Sequence, residues 1–260
     1  MKKLIVANWK MHLTIAESSL LLHELEKRVS VPKNTEVALA PNMLALQPIA
    51  LQLAHHRKFK LAAQNCYWRD DGPYTGEVSA HMLRGLVQYV IVGHSERRHT
   101  FGESDTLIRH KVQAVVRNQM QPIICVGESA QEKADGDTNY MLQDQVTAAL
   151  SNLTSEEIKH VVIAYEPVWA LSNGADFATH KTPSADDCTE ASKIIRKQVD
   201  YMFGAAAAKT VRVLYGGSVN SANAKNFLNA KGIDGLLVGG ASLKAVELAQ
   251  IIREAADAKA

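Results

Sequence analysis

The chain has 260 residues, 47% of them hydrophobic, and a formal net charge of +2, which suits one large domain with an ample core. Lysine and arginine are scattered without a block of like charge, and this argues against nucleic-acid and membrane partners. No apolar run approaches the roughly 18 residues of a transmembrane helix, so none is predicted.

The N-terminus and the cysteines indicate a cytoplasmic protein. The apolar run Leu4–Ala7 is too short for a signal peptide. The cysteines are Cys66, Cys125 and Cys188, which are odd in number and far apart, without metal-like spacing. A reduced protein is the simplest interpretation of that pattern.

Short apolar runs recur along the whole chain. Their apolarity is continuous rather than alternating, which is typical of strands buried on both faces of a parallel sheet. The eight runs are Leu4–Ala7, Glu36–Ala40, Lys60–Ala63, Tyr89–Val92, Pro122–Val126, Val161–Tyr165, Val211–Tyr215 and Ile233–Val238.

Helical patterns separate these runs. Thr14–Glu17 has the pattern of a capping box, and Ser184–Asp187 is predicted to cap a later helix. We interpret Ala205–Ala208 as a helix end or a short connection. The apolar stripes at helical spacing are Leu21, Leu22, Leu25 and Val29; Ile108, Val112, Val115 and Val116; Ile194, Ile195 and Val199; and Leu243, Val246, Ala249 and Ile252.

This alternation predicts an α/β fold with a parallel sheet. Eight strands in roughly 250 residues, without an obvious linker, favour a single-domain (β/α)8 barrel over residues 1–260. A doubly wound open sheet is the alternative, and it usually has a glycine-rich turn after its first strand. Here Asn8-Trp9-Lys10-Met11 occupies that place, so the barrel is favoured.

Polar residues follow several of the predicted strands, where a barrel carries its chemistry. Asn8 and Lys10 follow the first strand, His94 the fourth and Glu166 the sixth. Partial burial between an apolar strand and Pro167 would make the Glu166 carboxylate a stronger base. Each residue alone also fits a structural role, but their joint occurrence at one end of the barrel favours catalysis.

Glycine pairs follow the last two strands. Gly216-Gly217-Ser218 and Gly239-Gly240 stand where barrels bind phosphate through backbone N–H groups. A base, a carbonyl-polarising histidine, a lysine and a phosphate site together predict proton abstraction next to a carbonyl on a small phosphorylated substrate. No metal site is predicted, because there is no His-Glu-x-x-His motif and no cysteine pair, and His94 and His99 lack ligand spacing.

Longer motifs occur in a fixed order along the chain. They are Ala7–Met11, Ala63–Cys66, Tyr74–Glu77, Val92–Arg98, Cys125–Glu128, Ala164–Ala170, Tyr215–Val219 and Val238–Ala241. In these motifs and their spacing the chain resembles the triosephosphate isomerase family from end to end. The resemblance implies interconversion of dihydroxyacetone phosphate and D-glyceraldehyde 3-phosphate, a step of glycolysis and gluconeogenesis, without a cofactor.

The resemblance also implies a role for each candidate residue. Glu166 would move a proton between two substrate carbons, while His94 would polarise the carbonyl as a neutral imidazole at the start of a helix. Lys10, with Asn8 beside it, would stabilise the enediolate and the phosphate. Glu96 would adjust the site through Lys10 or the nearby backbone. The phosphate donors would be the backbone N–H groups of Ser218, Gly239 and Gly240.

A lid is implied after Glu166, with Pro167, Val168 and Trp169 as its first hinge. The segment Ala170–Pro183 is several residues longer than the lid usual in the family, and Ser172 takes the place of a phosphate-binding glycine. Serine keeps the backbone N–H, so we expect that contact to be retained.

The stretch Asn65–Val78 resembles the dimer loop of the family. Thr75 would enter a pocket of a second subunit near Asn8 and Lys10, which predicts a homodimer. An ordinary long loop is the alternative, although long loops in compact domains are more often functional.

Two other functions stay open from the sequence. The altered lid would fit a barrel that binds a phosphate ligand without efficient turnover. A barrel isomerase or lyase for a different phosphorylated sugar would need a larger cavity.

Overall fold

The computed structural model describes residues 1–54, 58–171 and 182–258, and its strands form a closed parallel barrel in chain order. This confirms the predicted (β/α)8 fold. The strands are β1 (Lys3–Asn8), β2 (Thr35–Ala40), β3 (Lys60–Ala63), β4 (Tyr89–Val92), β5 (Gln121–Val126), β6 (Val162–Tyr165), β7 (Arg212–Tyr215) and β8 (Gly235–Val238).

The α-helices pack around the barrel. They are α1 (Ile15–Arg28), α2 (Met43–Leu53), α3 (Ala80–Leu83), α4 (Ser95–His99), α5 (Asp105–Arg117), α6 (Ala130–Asp135), α7 (Thr138–Leu150), α8 (Ala185–Phe203), α9 (Ala205–Thr210), α10 (Ala224–Leu228) and α11 (Ala245–Asp257). Both predicted capping boxes form, at Thr14 before α1 and at Ser184 before α8. Among the described residues, none of these helices has both the length and the apolarity to cross a membrane.

Two sequence predictions about the helices need correction. Ala205–Ala208 is neither a helix end nor a connection, because it begins a separate helix, α9, after Gly204. Gly204 has a φ of 86°, a left-handed conformation that stops α8 and that glycine adopts without strain. In α11, Val246 is 59% exposed, whereas Leu248, Ile251 and Ile252 form the buried face.

The middle of each strand is apolar on both faces because each face packs against a different layer. Leu4 and Val6 of β1 belong to the cluster inside the barrel. Ile5 and Ala7, one residue on, pack in the larger cluster between strands and helices. Since successive side chains of a strand point to opposite faces, both sets are buried and no polar alternation remains.

The N-terminal end of the barrel is closed by a polar network from four strand starts. Arg212 donates from Nη1 to Glu36 Oε1 at 3.2 Å and from Nη2 to the Tyr89 hydroxyl at 2.8 Å. Nη2 also donates to Gln121 Oε1 at 3.1 Å, and the Tyr89 hydroxyl donates to Glu36. Burial opposes the ionised form of Glu36, but the Tyr89 hydrogen bond and the Arg212 charge outweigh it and lower its pKa.

Replacement of Arg212 by Met is expected to lower the free energy of unfolding by about 3 kcal/mol, because the largely buried Glu36 carboxylate loses the closer of its two cations and keeps only Lys60, whose Nζ is 3.8 Å away. The folded-state pKa of Glu36 lies below its unfolded value. Its contribution is therefore complete above the ordinary carboxyl pKa and is lost as the pH falls. Urea unfolding should show a difference between wild type and Arg212→Met that narrows from about pH 7 to about pH 3.

The control for this variant is Lys193→Met, which breaks an ion pair whose two side chains are each 63% exposed. That variant should unfold within about 0.5 kcal/mol of wild type at every pH. Equal stability of Arg212→Met and Lys193→Met would contradict the role of the network.

Candidate active site

One cavity of about 390 Å³ opens at the C-terminal ends of the strands. It brings together residues that are up to 235 positions apart in sequence, from Asn8 to Leu243. The candidate residues that line it are Asn8, Lys10, His94, Glu166, Ser218, Gly239 and Gly240. The barrel closes in chain order, so every strand end reaches the same rim.

Glu166 directly follows β6 and is 1% exposed. Its Oε2 accepts a hydrogen bond from the backbone N–H of Ser95 at 3.0 Å. Its Oε1 lies 3.4 Å from His94 Nε2, and no group of the described residues donates a hydrogen bond to it. A buried carboxylate with one oxygen unsatisfied is well suited to accept a proton.

His94 is the N-cap residue of α4, and its side chain accepts from the backbone N–H of Glu96 through Nδ1, at 3.3 Å. A ring nitrogen that accepts a hydrogen bond does not carry the proton, so the other nitrogen, Nε2, carries it in a neutral imidazole. The start of the helix also disfavours a cationic ring at this place. His94 thus presents a neutral N–H donor to the cavity.

Lys10 has a positive φ of 50°, which is unusual for a residue with a side chain. The surrounding side chains fix this conformation. Asn8 Oδ1 accepts from the Lys10 backbone N–H at 3.0 Å, and Gln64 donates to the Lys10 carbonyl at 2.8 Å. Gln64 also donates to the Ala40 carbonyl at 2.9 Å, which ties the loop to β2.

Glu96 holds the ammonium group of Lys10. The distance between Lys10 Nζ and Glu96 Oε1 is 2.7 Å. Burial alone would raise the pKa of Glu96, but the hydrogen bond from Lys10 and the charge of Lys10 outweigh it and lower the pKa. Glu96 therefore stays ionised beside the Lys10 ammonium group, although it is not among the residues that line the cavity.

The two glycine-rich loops form the wall of the cavity beside Lys10. A side chain at Gly239 would lie 3.3 Å from Lys10 Cε, which shows how closely the lysine passes this loop. Gly240 begins a single 3₁₀ turn, Gly240–Leu243, and Ser218 follows β7. Lys10 and residues of two glycine-rich loops thus line the same cavity, a combination suited to binding a phosphate.

Glycines also confine Glu166. A Cβ at Gly127 would overlap the carbonyl oxygen of Glu166, and a Cβ at Gly216 would lie 2.8 Å from its Cγ. The backbone N–H of Glu166 donates to the Val126 carbonyl at 2.8 Å. The end of β6 is therefore held directly against the neighbouring strand ends.

The predicted hinge residues lie beside the cavity rather than in its lining. Trp169 donates from Nε1 to Glu128 Oε1 at 2.8 Å, and the backbone N–H of Val168 donates to the Glu128 carbonyl at 3.0 Å. Pro167 is buried. Ser172 and the rest of residues 172–181, on which the prediction of the lid depends, lie outside the described residues.

The predicted dimer loop projects from the barrel. Tyr67 and Val78 pair through the Tyr67 N–H and the Val78 carbonyl at 2.7 Å, which closes the base of the loop. Residues 71–77 are exposed, Thr75 among them. Thr75 does not line the cavity of its own chain.

Sequence reasoning missed three residues near the cavity. Gln64 follows β3, so the rule that found Lys10 and His94 also applies to it. His12 lines the mouth of the cavity. The thiol of Cys125 lies against Glu166; burial, followed by the Glu166 charge, raises its pKa well above the usual value. Cys125 lies in the apolar strand β5, and its local sequence pattern does not distinguish it from an ordinary core residue.

The fold and the cavity define a (β/α)8-barrel protein whose candidate site, at the carboxyl ends of its strands, combines a carboxylate, an imidazole and a lysine. A family model described as triosephosphate isomerase matches residues 3–255. The chain belongs to the triosephosphate isomerase family.

Similar proteins of that name cover almost the whole chain. The protein named triosephosphate isomerase of Acetivibrio thermocellus is 42% identical over 97% of this chain and 98% of its own length. The protein of that name of Trichlorobacter lovleyi is 41% identical over 96% of this chain and 97% of its own. That of Chloroherpeton thalassium is 41% identical over 98% of this chain and 99% of its own.

Proposed function

We propose that this chain interconverts dihydroxyacetone phosphate and D-glyceraldehyde 3-phosphate through an enediolate. The observation that supports this most is the 3.4 Å distance between Glu166 Oε1 and His94 Nε2 at the bottom of a cavity that also holds Lys10. A base and a neutral donor that close can act on adjacent atoms of one small substrate.

The reaction follows from these groups. Glu166 takes a proton from the carbon next to the substrate carbonyl, and the electron pair of the broken C–H bond forms the enediolate double bond. The Nε2–H of His94 donates to the oxygen on which negative charge develops, and Lys10 stabilises the same charge. Glu166 then returns the proton to the neighbouring carbon, while the hydroxyl proton of the enediolate passes to the other oxygen, so that the carbonyl moves by one carbon with no net gain or loss of atoms.

Phosphate binding would orient the substrate for this transfer. We assign it to the backbone N–H groups of Ser218, Gly239 and Gly240 together with Lys10, and to Ser172 as a further donor. The Asn8 side chain positions Lys10 by accepting a hydrogen bond from the Lys10 backbone N–H. Glu96 holds the ammonium group of Lys10. Pro167, Val168 and Trp169 serve as the hinge before the lid.

The size of the cavity favours a small substrate. Its volume of about 390 Å³ lies near the lower end of the range for ligand sites. A barrel for a longer phosphorylated sugar would need more room. The buried carboxylate oxygen of Glu166 that accepts no hydrogen bond favours a catalytic base over a barrel that only binds its ligand.

A coupled assay with the purified protein tests the proposal in both directions, with D-glyceraldehyde 3-phosphate and with dihydroxyacetone phosphate as the starting triose. Turnover of both is expected. Saturable binding without turnover would overturn the proposal in favour of a binding protein. Faster turnover of a longer sugar phosphate, in a panel measured alongside, would overturn the assignment of the substrate.

We also propose that residues 1–260 form one domain that acts as a homodimer through the Asn65–Val78 loop. Four large apolar side chains on the connections after β1 to β4 are exposed: Met11 at 94%, Leu44 at 79%, Phe101 at 66% and Met82 at 63%. Exposed apolar side chains on the connections after four neighbouring strands favour a protein interface. The buried, unpaired thiols of Cys66, Cys125 and Cys188 agree with a reducing, cytoplasmic location.

Replacement of Thr75 by Arg is expected to give a monomer with turnover reduced by at least about tenfold, since the larger cation would be placed next to Lys10 of the second subunit. Sedimentation velocity measures the mass, and the coupled assay measures turnover. Thr210→Arg, at an exposed position at the end of α9, serves as the control and should leave both unchanged. A dimeric, fully active Thr75→Arg protein would contradict the proposed interface.

A further inference from the structure

Lys133 of α6 contacts the chain on both sides of residues 172–181. Its Nζ lies 4.7 Å from the centroid of the Trp169 ring. The same Nζ lies 3.0 Å from Asp187 Oδ1 in the first turn of α8. One side chain from the β5–β6 connection therefore links the end of β6 to the start of α8.

The Trp169 ring is held from a second direction by Glu128. Glu128 Oε1 accepts from Trp169 Nε1 at 2.8 Å and from the Tyr165 hydroxyl at 3.0 Å. Tyr165 precedes Glu166 and Trp169 follows it, so one carboxylate oxygen binds both flanks of the candidate base. Glu128 is fully buried, which leaves it little freedom to move.

Asp187 is a fixed anchor for Lys133. Its other oxygen, Oδ2, accepts from the Ser184 backbone N–H at 2.9 Å and from the Ser184 hydroxyl at 2.7 Å. The bond from the Ser184 N–H, together with the bond from the Asp187 backbone N–H to the Ser184 hydroxyl at 3.1 Å, forms the capping box of α8, and Oδ1 is left for the lysine. Asp187 is fixed at the start of a 19-residue helix, and its ion pair with Lys133 therefore holds the ammonium group against the indole ring of Trp169.

We propose that Lys133 is a positioning residue for Glu166, holding the Trp169 ring against Glu128 by a cation–π contact. The ion pair with Asp187 contributes little stability of its own, because its side chains are 37% and 35% exposed. Its effect is to orient the ammonium group over the ring. With Trp169 and Tyr165 both fixed to Glu128, the short segment that carries Glu166 keeps its alignment with His94.

This inference rests on the proposed function for its kinetic test. Lys133→Met removes the charge and keeps a long side chain, and we expect kcat to fall about fivefold while KM stays within about twofold. Apart from Ser172, the groups to which we assign phosphate binding lie on other loops, so ground-state binding should be largely retained. Lys133→Arg keeps the cation–π contact and should restore kcat to within about twofold of wild type.

The matched control is Lys193→Met, which breaks a lysine–carboxylate pair on the outer face of α8. It should leave kcat and KM unchanged. Equal kcat of Lys133→Met and wild type, or equal losses in Lys133→Met and Lys133→Arg, would overturn the inference. A wild type without turnover would instead overturn the proposed function.

A spectroscopic measurement tests the contact without any assay of activity. Protein labelled with 5-fluorotryptophan gives a ¹⁹F resonance for Trp169, which is assigned by its loss in Trp169→Phe. We expect Lys133→Met to shift this resonance and Lys193→Met to leave it in place. An unshifted resonance in folded Lys133→Met would contradict the contact even if kcat changes.

Discussion

Replacement of Glu166 by Asp is expected to lower kcat about a hundredfold, because the carboxylate is withdrawn by one methylene group, around 1 Å, from the reacting carbon. The backbone of Glu166 cannot follow to compensate. Its N–H is bound to the Val126 carbonyl, and its carbonyl lies against Gly127. Glu166→Gln, which keeps the shape but removes the base, should lower kcat further, by up to about 10⁴-fold.

The two substitutions separate position from basicity. In both variants a side-chain oxygen is available to the Ser95 N–H, so folding should be little affected. KM should change less than kcat, since the phosphate is bound elsewhere in the cavity. The coupled assay gives both constants, and thermal unfolding checks the fold.

The control is Glu190→Asp, the same shortening at a surface position whose side chain is 63% exposed. It should be indistinguishable from wild type in both assays. A Glu166→Asp protein with kcat within a few-fold of wild type would show that another group is the base.

Replacement of Lys10 by Met is expected to lower kcat/KM about 10³-fold, which corresponds to about 4 kcal/mol of transition-state stabilisation. The ammonium group is placed to act on both the phosphate and the developing oxyanion. Its loss should therefore raise KM and lower kcat together. The combined change in KM and kcat distinguishes Lys10→Met from the Glu166 variants, in which mainly kcat is expected to fall.

The same variant has a consequence for Glu96. The hydrogen bond from Lys10 helps to hold the pKa of Glu96 below its usual value. Without the lysine that pKa should rise toward the ordinary range, and the NMR titration of the carboxyl carbon in Lys10→Met would report the change.

Lys10→Arg is the matched variant that keeps the charge with a different shape. It should recover part of the phosphate affinity but little of kcat, because the guanidinium group cannot occupy the place of the ammonium. Wild-type kcat/KM in Lys10→Met would exclude Lys10 from the mechanism.

The barrel was predictable because the strands of a parallel sheet that is covered on both faces are continuously apolar in sequence. Runs such as Leu4–Ala7 and Tyr89–Val92 are apolar without alternation, and each became a strand within a residue or two of its predicted bounds. The rule that barrels carry their sites at strand ends then selected His94 and Glu166, which lie 72 residues apart in sequence and in contact at the cavity.

Other features depend on contacts that no local pattern records. Arg212, Glu36 and Tyr89 stand at the starts of strands, and only closure of the barrel brings their side chains together. The helix α9 depends on the left-handed conformation of Gly204, which a run of alanines does not reveal. Gln64 was predictable, since it follows β3 as directly as other candidates follow their strands.

The glycines around Glu166 determine where this cavity could be redesigned. Position 127 has no room for a Cβ, and any side chain at position 216 would push on the base itself. Variants designed for a longer sugar phosphate must therefore keep glycine at both positions. The adaptable surface is the apolar one, made by Leu171, Val219 and Leu237, where a smaller residue would add volume without moving the carboxylate.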